Sequence, residues 1–274
     1  MRHLIRLTDW TEADIEAVFA LARRYRSGEG ARHDGAVAMF FPPTSIRTRA
    51  SFERGAALTG LQPIVFPSET LDKPEALEDV AGYLAQFVDA LVIRHPDITV
   101  LERLAAADAL PIVNAMTDEN HPCEILSDLF TLSLSADVRA LRYVFVGADG
   151  NIGRAWREAA QVLSLDFMQS CPAELGMTDV PSTDDLEAAV SRADVILTDG
   201  PGAHAEALSG YRITADLLAK APAGVRLTPC PPFLRGREVS VDAMASDAFV
   251  GYGFKSALIP VQQAILAHCI TSAA

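Results

Sequence analysis

Cysteine is scarce and scattered in this chain of 274 residues: Cys123, Cys171, Cys230 and Cys269 form no C-x-x-C pair. They read as reduced thiols of a cytoplasmic protein, and no metal site is expected from them. Basic residues are also short, with 23 Lys and Arg against 36 Asp and Glu, a net charge of −13 and a pI near 4.8. That balance excludes nucleic acid as a partner, which needs a basic footprint. No apolar run approaches the ~20 residues that span a bilayer, so no membrane association is expected. The opening "MRHLIRLTDWTEADIE" turns acidic too early for a signal peptide. Repeats, low-complexity tracts and long linkers are absent as well. Half of the residues are hydrophobic, enough for one large domain or two ordinary ones without staples.

What is present alternates. Thr11 and Asp14 resemble a capping box, and Ile15, Val18, Phe19 and Ala22 then share one helical face. Short apolar runs follow, separated by helical patterns: "AVAMFF", "QPIVF", "DALVIR" and "PIVNA", then "RYVFVG", "LDFMQS", "DVILTD" and "VRLTPC". Runs that are continuously apolar, rather than alternating, suit parallel strands covered on both faces, and strand–helix repetition predicts an α/β fold. Eight strands can close one barrel or fill two open sheets. The helical pattern from His121 to about Ser133, followed by "SLSADVRA", reads as a joint between two doubly wound parallel-sheet domains. The expected domains are residues 1–134 and 135–254, with a C-terminal helix over 255–271 returning to the first.

In such sheets functional residues gather at the carboxyl ends of strands. The stretch "FFPPTSIRTRASFERG" places Arg47 and Arg49 in the first turn of a helix, the end where cations are disfavoured and anions are bound. A surface arginine pair is the plain explanation. The alternative is an anion site, with Ser45 capping the helix or donating, Thr48 adding a hydroxyl and Arg47 folding its fork back over the helix start. Arg94 ends another strand, and His121 and Glu124 open a helix after Asn114 and Asp118. A histidine beside a phosphate site can polarise a carbonyl. "VGADGNIG" also invites a dinucleotide reading, but its glycines are spaced G-x-x-G-x-x-G and the signal is weak.

Taken together, "SIRTRASFE", "FVDALVIRHP", "NHPCEILSDLFTL" and "CPPFLRGREV" resemble, in order, the signature segments of the aspartate/ornithine carbamoyltransferase family. The resemblance runs from about residue 3 to residue 270. It implies two doubly wound parallel-sheet α/β domains, a homotrimer with active sites shared between subunits, and no cofactor. It also implies transfer of the carbamoyl group of carbamoyl phosphate to the amine of an amino acid or small diamino acid. By the same resemblance Ser45, Ile46, Arg47 and Thr48 meet the phosphate, Arg94 and His121 the carbonyl oxygen, Glu124 the carbamoyl amide, and Lys73 arrives from a mobile loop. Catalysis would fall to Arg94, His121 and Thr48. The acceptor would be met by Asn151, Arg154, Asp199, Cys230 and Pro231, with a cis proline in "PCPP".

The pattern is broken in places. Ile46 stands where the family usually has Thr, Glu124 where it has Gln, and Pro229 where the loop carries His. A carboxylate at 124 opposes a dianion by ~4 kcal/mol at 4 Å and an effective dielectric near 20, so it must be protonated, turned away or paired with a cation. Arg154 with Asp199 suits an acceptor bearing both carboxylate and ammonium, and neither aspartate nor ornithine fits cleanly. These departures also motivate a second reading, a catalytically silent homologue with a structural or regulatory role.

Overall fold

The structure, a computed structural model, describes residues 1–271. The chain forms two compact units. The first comprises Met1–Thr131 and the segment from Lys255 onward, and the second is Leu132–Phe254.

The first unit opens with α1 (Glu12–Arg26). The expected capping box is present: Asp14 N donates to Thr11 Oγ1, and Thr11 N donates to Asp14 Oδ2 at 2.9 Å. Ile15, Val18, Phe19 and Ala22 are its buried face. The chain continues through β1 (Gly35–Phe40), α2 (Arg47–Thr59), β2 (Leu61–Phe66), α3 (Leu77–Leu84), β3 (Ala90–Arg94), α4 (Ile98–Ala106), β4 (Ile112–Met116) and α5 (Pro122–Ser133). The four strands form one parallel sheet in the order β2-β1-β3-β4. Val37, Ala38, Met39, Leu91, Val92 and Ile93 are fully enclosed, which is why their runs are apolar without alternation. At the end of α2 the chain reverses through Gly60, at φ +95°. A side chain there would collide with the His33 carbonyl oxygen 2.3 Å away. The final helix, α9 (Leu258–Thr271), packs on α1 and α2 and is buried nearly all round, as a helix apolar on every face must be.

The second unit contains β5 (Arg142–Val146), α6 (Asn151–Leu163), β6 (Asp166–Ser170), β7 (Ser182–Thr183), α7 (Leu186–Val190), β8 (Val195–Thr198), α8 (Ala215–Leu218) and β9 (Arg226–Pro229). Its parallel sheet has the order β7-β6-β5-β8-β9. All eight apolar runs are strands, divided between two open sheets rather than closed into a barrel. The two-residue β7, with Ser and Thr, carries no apolar signal and was not expected. The glycines of "VGADGNIG" serve packing: a Cβ at Gly153 would lie 2.7 Å from the Phe145 ring, so glycine lets α6 sit directly on β5.

Both sheets are doubly wound, and each has a point where the chain turns from one side of its first strand to the other. In the first unit this lies between β1 and β3, in the second between β5 and β8. Ligands of open parallel sheets bind outside the carboxyl ends of the strands at such points.

Candidate functional site

In the first unit the segment leaving β1 and the end of β3 supply both sides of the switch point. The Arg94 guanidinium donates to Ser45 Oγ at 3.5 Å, a long contact. Ser45 is therefore not the helix cap. Ile46 takes the N-cap position with helical torsions and no side-chain hydrogen bond, because the Ser45 hydroxyl faces Arg94 instead. The Ile46 side chain is 73% exposed. No acidic residue stands in the first turn of α2, so its free N–H groups and positive end remain available to an anion. Thr48 is buried, Arg47 is exposed, and Arg49 is held at 2.6 Å by Glu53 one turn on. Of the two cations at the start of the helix, only Arg49 is thus an ordinary surface pair.

His121 ends the loop after β4. A network not singled out from the sequence fixes that loop. Asn114 Nδ2 donates to Asn120 Oδ1 at 2.6 Å and to the Ile5 carbonyl at 2.8 Å. Thr117 N donates to the Asn120 carbonyl at 2.9 Å. The imidazole is buried, and its Nδ1 has no hydrogen-bond partner among the described residues. Burial holds its pKa down to about 4 against the pull of Glu124, with Arg94 and Lys255 reinforcing the depression. At neutral pH His121 is therefore an uncharged imidazole beside an arginine.

Glu124 follows on the first turn of α5. Lys255 Nζ lies 2.7 Å from Glu124 Oε1, an ion contact without hydrogen-bond alignment, and donates to Asp128 Oδ1 and Oδ2 at 2.6 and 2.8 Å. Burial works against ionising Glu124, but Lys255, His121 and Arg47 outweigh it and leave its pKa lowered. Asp128 carries the opposite result: burial pushes it up to about 6 despite Lys255. Of the three states open to Glu124, the structure selects pairing with a cation.

Lys73 is not drawn into this cluster. It is exposed, follows a short 3-10 turn (Ser68–Asp72), and makes no ion pair among the described residues. Its neighbour Asp72 is tied at 3.0 Å to buried His95, which follows β3. Lys73 instead borders a cavity of about 200 Å³ with Phe40, Phe66, Val80 and Tyr83.

In the second unit Asp199 follows β8 and accepts from Gly200 N at 2.8 Å. It lines a cavity of about 210 Å³ at the switch point, together with Gly147, Tyr211, Arg212, Arg237 and Glu238. Glu238 is buried; Oε1 accepts from Leu234 N at 2.7 Å, and Oε2 has no partner among the described residues. Asn151, Arg154, Cys230 and Pro231 do not line this cavity. Asn151 opens α6, and Arg154 on the same helix donates from Nε to Asp149 at 2.7 Å. Cys230 is a buried thiol outside any disulfide, and the Pro231–Pro232 bond is cis. Arg237 and Glu238 lie within "CPPFLRGREV", whereas Arg212 belongs to a stretch without a motif. Among the described residues no group of three or more His, Cys, Asp or Glu is placed to hold a metal, and no helix is long and apolar enough to cross a membrane.

Residues 2–133 match the model of the aspartate/ornithine carbamoyltransferase carbamoyl-P binding domain. The ornithine carbamoyltransferase of Geobacter metallireducens (strain ATCC 53774 / DSM 7210 / GS-15) is 30% identical over 98% of this chain and 99% of its own length. This chain belongs to the aspartate/ornithine carbamoyltransferase family. The ornithine carbamoyltransferase of Halorhodospira halophila (strain DSM 244 / SL1) is 31% identical over 97% of this chain and 98% of its own. Among solved structures, the ornithine carbamoyltransferase of Burkholderia thailandensis E264 superposes with a TM-score of 0.91 at 25% identity, over 98% of this chain and 99% of that one. That of Pyrococcus furiosus also gives 0.91 at 25%, over 98% and 97%. The two parallel-sheet units are thus the family's fold.

Proposed function

We propose that this carbamoyltransferase moves the carbamoyl group of carbamoyl phosphate to the amine of an amino acid or small diamino acid, releasing phosphate and a ureido product. One observation carries the reading: an uncapped helix start bearing Ser45, Arg47 and Thr48 meets Arg94 at the switch point, beside a buried, neutral His121.

The chemistry follows from those groups. The phosphate dianion sits on the N–H groups of α2, with Arg47, Ser45 and Thr48 around it and the backbone N–H near Ile46 in place of a hydroxyl. The amine nitrogen attacks the carbamoyl carbon, the bond from that carbon to the bridging oxygen breaks, and the departing phosphate takes the amine proton. Negative charge that develops on the carbonyl oxygen is met by Arg94, His121 and Thr48. Such donors are worth ~10²–10³ in rate each when already in place. A neutral His121 suits this task, because it donates a hydrogen bond without releasing a proton to solvent. Glu124 accepts from the carbamoyl NH₂.

The second unit offers the acceptor a cavity with both signs of charge. Asp199 and Glu238 suit its ammonium, and Arg212 and Arg237 suit its carboxylate. Arg154, engaged by Asp149, shapes the start of α6 next to Asn151; Cys230 and Pro231 present backbone carbonyls to the substrates. Lys73 is assigned to a neighbouring subunit's site in a homotrimer.

Phosphate release from carbamoyl phosphate, measured with one amine at a time, tests the reading. Acceptor-dependent release with a ureido product by mass is expected, and Arg47→Ala should abolish carbamoyl phosphate binding while leaving the oligomer intact. Unchanged binding in that variant would overturn the assigned site.

A further inference from the structure

Of the ion triad of Glu124, Lys255 and Asp128, only Glu124 has a part in the chemistry above, and the arrangement is costly. All three side chains are at most 18% exposed. Two carboxylates share one ammonium, and taking ions out of water is repaid only by close pairing. Lys255 stands just before α9 and reaches α5 across 127 positions of sequence. Nothing about packing two helices requires it, since apolar side chains of similar volume would do as well.

We infer that Lys255 is a positioning residue for carbamoyl phosphate: it holds the Glu124 carboxylate charged and oriented toward the carbamoyl NH₂ and cancels its repulsion of the phosphate. This rests on the carbamoyl phosphate reading above. The groups facing Glu124 are Lys255, His121, Asp128, Cys123 and Arg47, with Arg94 acting on His121. His121 is neutral at working pH and the Cys123 thiol is held protonated by burial, so neither offsets charge. Three cations, Arg47, Arg94 and Lys255, then stand against two carboxylates before the dianion arrives. Without Lys255 the balance is even, and the dianion meets an unscreened carboxylate. A carboxylate that accepts from NH₂ is useful here only with its own counter-ion, and Lys255 is that ion.

The experiment is carbamoyl phosphate binding by titration calorimetry between pH 6 and 8, on the full chain and three variants. Lys255→Met should weaken binding about 10- to 100-fold at pH 8. The loss should shrink toward pH 6, because an unpaired, buried Glu124 takes up a proton there and stops repelling the phosphate. Lys255→Met with Glu124→Gln should recover most of the affinity and keep only the smaller pH dependence that Asp128 contributes, and Lys255→Arg should bind as the unaltered protein does. A purely structural Lys255 would give a loss that is independent of pH and not repaired by Glu124→Gln, and that result overturns the inference. Should Lys255→Met fail to fold, the double variant decides: folded and binding supports the pairing, folded and silent refutes it. Absence of binding by the unaltered protein would instead remove the functional reading itself, and this inference with it.

Discussion

Replacing His121 with glutamine removes the group that most strongly couples the first unit to acid. In the fold its imidazole is buried and protonates only near pH 4, whereas an unfolded histidine does so near 6.5. Between those values the unfolded chain holds a proton that the folded chain does not, so stability rises with pH through the window. The contribution is fully present above pH 6.5 and is lost as pH falls toward 4. Between pH 7 and pH 4.5 the loss is about 2–3 kcal/mol for this one group. Asp128 works in the opposite sense: its carboxyl, raised to about 6, costs stability as pH rises from the ordinary carboxylate value near 4. His121 is not among the groups that set Asp128 directly, so the Asp128 contribution largely cancels when the two proteins are compared; His121 does act on Glu124, so the difference reports His121 together with its effect on that carboxylate.

Urea unfolding at pH 7 and at pH 4.5, for the unaltered chain and His121→Gln, isolates the effect. The unaltered protein should lose about 2–3 kcal/mol more than the variant on going to pH 4.5. Imidazole proton NMR gives a direct check, with the His121 resonance shifting only near pH 4. A resonance that titrates near 6.5, or an equal loss in both proteins, would refute both the burial argument and the neutral-donor role that rests on it.

The other perturbations test separate parts of the molecule. Asp199→Asn should raise the acceptor KM about 10- to 100-fold while leaving the affinity for carbamoyl phosphate unchanged, since a charged contact is lost on one substrate only. Arg154→Ala, which breaks a partly exposed pair with Asp149, should change the same KM less than about threefold; steady-state kinetics with the acceptor found by the amine panel decides between the two. Gly153→Ala should cost about 1–3 kcal/mol in urea unfolding, because its methyl group meets the rigid, buried Phe145 ring. Phe52→Ala should cost about 3–5 kcal/mol and loosen α2 along with the anion site proposed on it, since that ring is fully enclosed and packs on Phe41.

How much of this molecule can be read in its chain depends on the range of the forces that place each part. The strands were legible because each is a short run whose burial on both faces leaves a mark in adjacent residues. Thr11 with Asp14 acts over three positions and is equally local. Ser45, Arg47, Thr48 and Arg94 were legible together because strand ends at a switch point converge whatever the side chains are. The charge balance was not legible. Glu124 alone posed a choice among protonation, rotation and pairing, and no local rule could choose. The deciding residue, Lys255, sits 127 positions away from Asp128 in a segment with no motif of its own. In the same way Asp199 was visible at the end of its strand, but Arg212 reaches the cavity beside it from a stretch without periodicity. Local patterns thus mark where a ligand is proposed to meet the sheets, while the charges around that place come from side chains that only the closed fold brings together. In this chain that division falls on the acceptor and on Glu124, two of the places where its sequence leaves the family pattern, and it makes the Lys255 and Asp199 variants more informative than further substitution among the proposed phosphate-binding residues.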